Sequence, residues 1–317
     1  MSVAFTFPGQ GSQAVGMGKL LAETYREARA VFGEVDDALG EKLSTIAWEG
    51  PLDSLTLTEN AQPALMAVSV AAVRVLEARG IDLGARVAYV AGHSLGEYSA
   101  LVAAGSLTLS DAARLLRIRG KAMQSAVPVG AGAMAALIGL DLATASDVAA
   151  AAAKGGGVCA TANDNAPGQV VVSGDRAAVE RAVELARAKG AKRAILLPVS
   201  APFHCSLMAP AARAMEEALA GVKLLAPAPP LIANVVAAPV TDPEQIRRNL
   251  VDQVTATVRW RESVAWLGRA GVALFVEIGA GRVLSGLVKR IVECCEALSV
   301  GTPDEVETLR GRLTGTK

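Results

Sequence analysis

Val87-Ala-Tyr-Val-Ala-Gly-His-Ser-Leu-Gly-Glu-Tyr98 joins two patterns across a tight turn. Val87 to Ala91 is short, apolar and partly β-branched, which predicts a buried strand. Gly92-His-Ser-Leu-Gly96 fits G-x-S-x-G, and Glu97 to Ala104 reads as a helix. Strand, turn and helix with serine at the turn is the setting of a nucleophile elbow, which lifts the Ser94 hydroxyl above a sheet near the positive end of a helix. A glycine-flanked serine that merely caps a helix is the plainer alternative. The strand–helix context favours the nucleophile.

Outward from the elbow, short apolar runs alternate with helical patterns. Val3 to Phe7 predicts a first strand, followed by the turn-rich Pro8-Gly-Gln-Gly-Ser-Gln13. Helices are expected at Lys19 to Leu39 and at Gln62 to Arg79, the second capped by Asn60. Another opens at Ser110-Asp111, runs to about Ser125, and carries Arg114, Arg117 and Arg119. Composition changes at Pro128-Val-Gly-Ala-Gly132. Strands at Ala133–Leu140, Gly157–Thr161, Gln169–Ser173 and Ala191–Leu197 then alternate with helices at Ala143–Lys154 and Asp175–Lys189, with Ala162 to Gly168 as a loop. That β-α-β-β-α-β order is the ferredoxin-like unit.

Helices near Ser206–Leu219, Pro243–Val251, Trp260–Arg269, Val283–Cys294 and Asp304–Leu313 follow, with strands at Leu231–Asn234, Ala273–Ile278 and Leu298–Val300. The expected fold class is α/β: a parallel core resembling an α/β-hydrolase, residues 1–128 and 198–317, with a ferredoxin-like small domain, residues 129–197, inserted.

Composition narrows the function. The 317 residues are 52% hydrophobic and 20% charged, which suits a soluble chain with a large core. The 31 basic and 31 acidic residues cancel and no basic run stands out, so nucleic acid is not an expected partner. No signal peptide and no apolar run long enough to span a bilayer are read, so no membrane partner is expected. The four cysteines form neither a C-x-x-C pair nor a zinc pattern. No metal site is expected, and the setting is a reducing cytoplasm.

A serine hydroxyl needs a base. The chain has two histidines, His93 and His204. Consecutive side chains leaving a strand point apart, so His93 is read as bracing the elbow and bordering the site. His204, in Val199-Ser-Ala-Pro-Phe-His-Cys-Ser206, is the base expected to face Ser94. No acid sits in a telling motif, so the group that orients His204 is either a carboxylate or a backbone carbonyl. The oxyanion hole takes the Leu95 amide, and the Gln10 amide from the loop after the first strand. That loop lacks the Lys-Ser/Thr of a phosphate-binding P-loop.

Phe7-Pro-Gly-Gln-Gly-Ser-Gln13, Gly92-His-Ser-Leu-Gly-Glu-Tyr98, Arg119-Gly-Lys-Ala-Met-Gln124, Asn165-Ala-Pro-Gly-Gln169 and Phe203-His204 occur in that order. Together they resemble the malonyl-CoA:acyl carrier protein transacylase family, over nearly the whole chain. The resemblance implies Ser94 as acylated nucleophile, His204 as base, and the Gln10 and Leu95 amides as the oxyanion hole. It implies a main-chain carbonyl, matched to Gln253 in Asn249-Leu-Val-Asp-Gln-Val254, orienting His204. It implies that Arg119 clamps the malonyl carboxylate, and that Asn163, Asn165 and Phe203 line the site. It further implies no cofactor beyond the substrates malonyl-CoA and phosphopantetheinylated acyl carrier protein, and a monomer. A serine esterase or thioesterase on a similar core, the malonyl-transferring subunit of a malonate decarboxylase, and a non-catalytic docking module remain as alternatives. The retention of both Ser94 and His204 argues against the last.

Overall fold

The apolar runs separate into two sheets in the computed structural model, which describes residues 2–315. In chain order the strands are β1 (Ser2–Phe7), β2 (Tyr89–Gly92), β3 (Gly132–Ile138), β4 (Cys159–Ala166), β5 (Gln169–Asp175), β6 (Arg193–Leu196), β7 (Leu231–Ala233), β8 (Ala238–Val240), β9 (Val272–Ile278) and β10 (Glu296–Val300).

The large sheet runs β10-β9-β1-β2-β7-β8, parallel except for the antiparallel edge pair β7–β8. β1 is buried at every residue after the first. That continuous apolar run is expected of a strand covered by helices on both faces. The register pairs Phe7 with Gly92. The loops that leave the C-terminal ends of β1 and β2 therefore start side by side, as do those of β2 and β7, where Ala91 pairs with Ile232. Gln10, Ser94 and Asn234 each follow one of these strand ends.

The small sheet runs β4-β5-β3-β6, all antiparallel. With the helices Leu142–Lys154 and Arg176–Ala188 between its strands, it has the ferredoxin-like topology. One face packs on those helices through Leu137, Val172, Ala149 and Val179. From the other side, Met134, Ala162 and Val171 join the main core. A cleft lies between the two sheets, with the elbow on its floor.

Several expectations are corrected. The helix expected over Lys19–Leu39 is two, Lys19–Thr24 and Arg26–Leu39, broken at Tyr25. Tyr25 takes an extended backbone, buries its ring beneath Arg79 and donates its hydroxyl to Glu307, a tertiary contact that overrides the helical pattern. Asn60 is not a cap. The helix runs Thr58–Ala78, and Asn60 lies inside it, donating its side-chain amide to Ser54 O at 2.8 Å. Residues 162–166 are strand rather than loop. Their polarity is met by distant partners: the Asp164 side chain pairs with Arg261 at 2.8 Å, the Asn165 side chain with His93, and the Asn163 backbone forms a β-bridge to Val258. The last core helix stops at Ile291, and β8 was not foreseen.

One helix, contrary to the sequence reading, is long and apolar enough to cross a membrane by length and composition: Thr58–Ala78, 21 residues, with a window of mean hydropathy 1.3. Gln62, Ser69 and Arg74 interrupt the run without lowering its average below that of a span. In the fold 83% of the window is buried inside the protein, packed by the helices Arg26–Leu39 and Leu109–Ser125. A helix apolar all round is what a core position requires.

Candidate active site

Ser94 sits between β2 and the helix Gly96–Ala103 with φ 54°, in the left-handed region. A non-glycine residue there costs about 1 kcal/mol or more, so the surroundings must hold it. Asn234, just past β7, does so: its Oδ1 accepts the Ser94 amide at 2.8 Å and its Nδ2 donates to Gly92 O at 2.6 Å. The flanking glycines are required by space. A Cβ on Gly92 would overlap the Gly96 backbone, and one on Gly96 would overlap the Phe7 carbonyl. Gly92→Ala is therefore expected to destabilise the fold by about 3 kcal/mol or more, as overpacking against backbone that cannot yield does. Urea denaturation measures this, and an unchanged midpoint would contradict it.

His204 is also held at positive φ, 59°, and is buried. Its Nδ1 lies 2.8 Å from the Gln253 main-chain oxygen, which can only accept. Nδ1 therefore carries the proton, leaving Nε2 to accept the Ser94 hydroxyl at 2.9 Å. Burial, and then the Arg119 charge, push the imidazole down to about 3, so it stays a neutral base across the physiological range.

Arg119 is 1% exposed, on the helix Leu109–Ser125. It donates to Gln62 Oε1 at 2.7 Å, Gln253 Oε1 at 2.8 Å and Ser94 Oγ at 3.1 Å. All three partners are neutral, and its Nε finds none. Among the described residues no carboxylate lies within ion-pair distance of it. A buried cation without a direct ion-pair partner is costly, and an anion entering the cleft would supply one. Arg114 and Arg117 on the same helix instead pair with Asp111 and Glu41.

The cleft over these groups has a volume of about 470 Å³ and is lined by Gln10, Leu95, Phe203 and Asn163 among others. The Ser94 amide is spent on Asn234. The amides of Leu95 and Gln10 have no acceptor among the described residues, and both residues line the same cleft as Ser94. The Gln10 side chain is anchored separately, accepting from Thr58 Oγ1 at 3.0 Å. His93 turns away from the hydroxyl: its Nε2 donates to Asn165 Oδ1 at 2.9 Å and its ring tilts against Trp260. That bond ties the elbow to β4 of the small sheet.

Three residues went unread in the sequence. Gln62 holds the guanidinium, Asn234 straps the elbow, and Glu97 is a buried carboxylate bonded to Gln253 and Asn234. Glu97 carried the clearest signal, as a charged residue inside the otherwise apolar elbow helix. Asn234 stood as a single polar residue in an apolar stretch, which marks a buried partner without naming it, whereas Gln62 follows Thr58, Glu59 and Asn60 and nothing set it apart.

A family described as "Acyl transferase domain" matches residues 4–309. The malonyl CoA-acyl carrier protein transacylase of Bacillus subtilis (strain 168) is 46% identical over 305 residues, covering 96% of this chain and 95% of its own. The crystal structure of an acyl-carrier-protein-S-malonyltransferase from Bartonella henselae superposes with a TM-score of 0.97 at 59% identity, covering 99% of this chain and 100% of the other. A structure of a type II PKS acyl-carrier protein in complex with its malonyl-transacylase superposes with a TM-score of 0.95 at 43% identity, covering 98% and 100%.

Proposed function

The chain belongs to the acyl transferase domain family, and from that premise we propose that it transfers malonyl from malonyl-CoA to the phosphopantetheine thiol of acyl carrier protein, supplying fatty acid elongation. The observation that carries the reading is the buried Arg119 guanidinium, 3.1 Å from Ser94 Oγ and without a carboxylate partner among the described residues. It provides for an acyl group that brings its own carboxylate.

His204 Nε2 takes the Ser94 proton as Oγ attacks the thioester carbon. The oxyanion forms against the Leu95 and Gln10 amides. The C–S bond breaks, the CoA sulfur takes the proton from His204, and a malonyl-serine ester remains. The carrier's thiol then attacks that ester, giving its proton to His204, which returns it to Ser94 Oγ. Ping-pong kinetics follow. Asn163, Asn165 and Phe203 border the acyl group and the arm that delivers it.

The reading extends to a cytoplasmic monomer without a resident cofactor, and the four free thiols suit a reducing compartment. We divide the chain into 1–128 with 198–317 and 129–197, supported by the separate apolar core of the small sheet.

Intact-mass and peptide analysis after mixing with malonyl-CoA tests the proposal. A malonyl adduct on the Ser94 peptide, discharged by holo carrier protein much faster than by water, is expected. Discharge to water at the same rate would make the protein a hydrolase, and no adduct on folded protein would end the acyl-serine mechanism.

A further inference from the structure

Glu97 is 1% exposed, in the first turn of the helix Gly96–Ala103, and the transfer steps leave it without a task. Its Oε2 accepts from Gln253 Nε2 at 2.8 Å and from the Asn234 amide at 3.1 Å. Its Oε1 is buried without a partner among the described residues. Gln253 contacts Ser94, His204 and Arg119 alike. Its main-chain oxygen accepts His204 Nδ1–H at 2.8 Å, its Oε1 accepts from Arg119 at 2.8 Å, and its Nε2 also donates to Ser94 O at 3.1 Å. Ser94, His204, Gln253 and Glu97 thus stand in one connected series. The acid lies one residue farther from the imidazole than in a Ser-His-Asp triad.

We propose that Glu97 is a positioning residue, the displaced acid of the Ser94–His204 pair, whose negative charge acts through Gln253 to compensate the imidazolium formed when His204 takes the serine proton. The proposal rests on the acyl-serine mechanism above.

Protonation of His204 puts a second cation into a buried pocket that already holds Arg119. The Gln253 carbonyl answers it with a dipole alone. Glu97 is the carboxylate the same residue reaches, so its charge is the one available to offset the pair. The groups facing it agree. Arg119 approaches from the helix Leu109–Ser125. Tyr98, on Glu97's own helix, is pushed up to about 12 by burial and stays neutral. Gln253 and Asn234 are uncharged, and His204 and His93 lie beyond them. Burial raises the Glu97 carboxyl to about 7, against the opposing pull of the Asn234 amide, Gln253 and Arg119. The anion is the useful form, so the acylation rate should climb as pH rises through that value and level off above it. His204, at about 3, does not titrate in the same window.

Glu97→Gln keeps size and an acceptor for Gln253 and Asn234 while deleting the charge, so a purely structural role would survive it. The experiment is rapid-quench acylation of Ser94, read by mass spectrometry, for wild type and E97Q with malonyl-CoA and acetyl-CoA across the pH range that brackets neutrality. The expected result is a rate constant lower by about tenfold for both thioesters, one pKa unit of imidazolium stabilisation. Half-saturating concentration should be unchanged, and the limb near neutrality lost. A wild-type rate with the limb intact overturns the proposal. So does a loss confined to malonyl-CoA, which would make Glu97 a support for Arg119 alone. If E97Q fails to fold, 13C-labelled glutamate in the wild type asks the same question: a buried carboxyl must titrate with the midpoint of the rate limb, and its absence overturns the proposal. Failure of the underlying mechanism looks different, since wild type would then form no malonyl-Ser94 at any pH.

Discussion

Arg119→Ala is expected to lower kcat/KM for malonyl-CoA by about a hundredfold or more, corresponding to the roughly 3–5 kcal/mol that breaking a buried ion pair costs. The guanidinium is sealed from water and bonded to Gln62, Gln253 and Ser94. A malonyl carboxylate entering the cleft supplies the charge those neutral partners lack. An acetyl group supplies none, and leaves the buried cation without a direct ion-pair partner. The same substitution should therefore shift preference toward acetyl-CoA, as measured by competition between the two thioesters for Ser94. An unchanged ratio would remove Arg119 from substrate recognition. Arg119→Lys should recover only part of the loss. An ammonium keeps the charge but lacks the planar fork that reaches three partners and a carboxylate together.

The parts of this site that lie in one stretch were legible in the sequence. Ser94 and Leu95 come with the elbow, whose strand, glycines and helix are local features. Gln10 follows because the loop after β1 starts beside the loop after β2 in any parallel pairing of the two. His204 was reached by scarcity, being the histidine left once His93 was turned aside by strand geometry. What stayed dark depends on distant pairing. The Asn234–Ser94 contact spans a sequence separation of 140 and the Gln253–Glu97 contact one of 156. No local pattern records either. The stretch Asn163-Asp-Asn165 misled for the same reason. Its polarity reads as loop, yet Arg261 and His93, each far away in the chain, satisfy it within a strand. The question of a carboxylate or a carbonyl behind His204 has an answer in geometry that neither choice alone expressed: the carbonyl of Gln253 touches the imidazole, and a carboxylate touches Gln253.

His204→Ala is expected to slow acylation of Ser94 by at least about ten-thousandfold, the upper range for removing a general base and in line with the non-additive loss of such pairs. The hydroxyl would keep the Arg119 contact at 3.1 Å. A cation at Oγ favours the alkoxide, but it cannot accept a proton. Proton removal would then fall to hydroxide from solvent, and the residual rate should climb about tenfold per pH unit, following hydroxide concentration. The intact site behaves differently because its base is already neutral. Burial and Arg119 hold His204 at about 3, so protonation of the base should not limit the rate until the medium is strongly acidic. In the proposed mechanism a malonyl carboxylate seated on Arg119 would offset the smaller of the two causes that depress the imidazole, burial being the larger, and so raise its proton affinity as the thioester arrives. Rapid-quench mass spectrometry across pH measures both profiles. A loss below about a hundredfold in His204→Ala, beneath the range a general base supplies, would mean another group takes the serine proton.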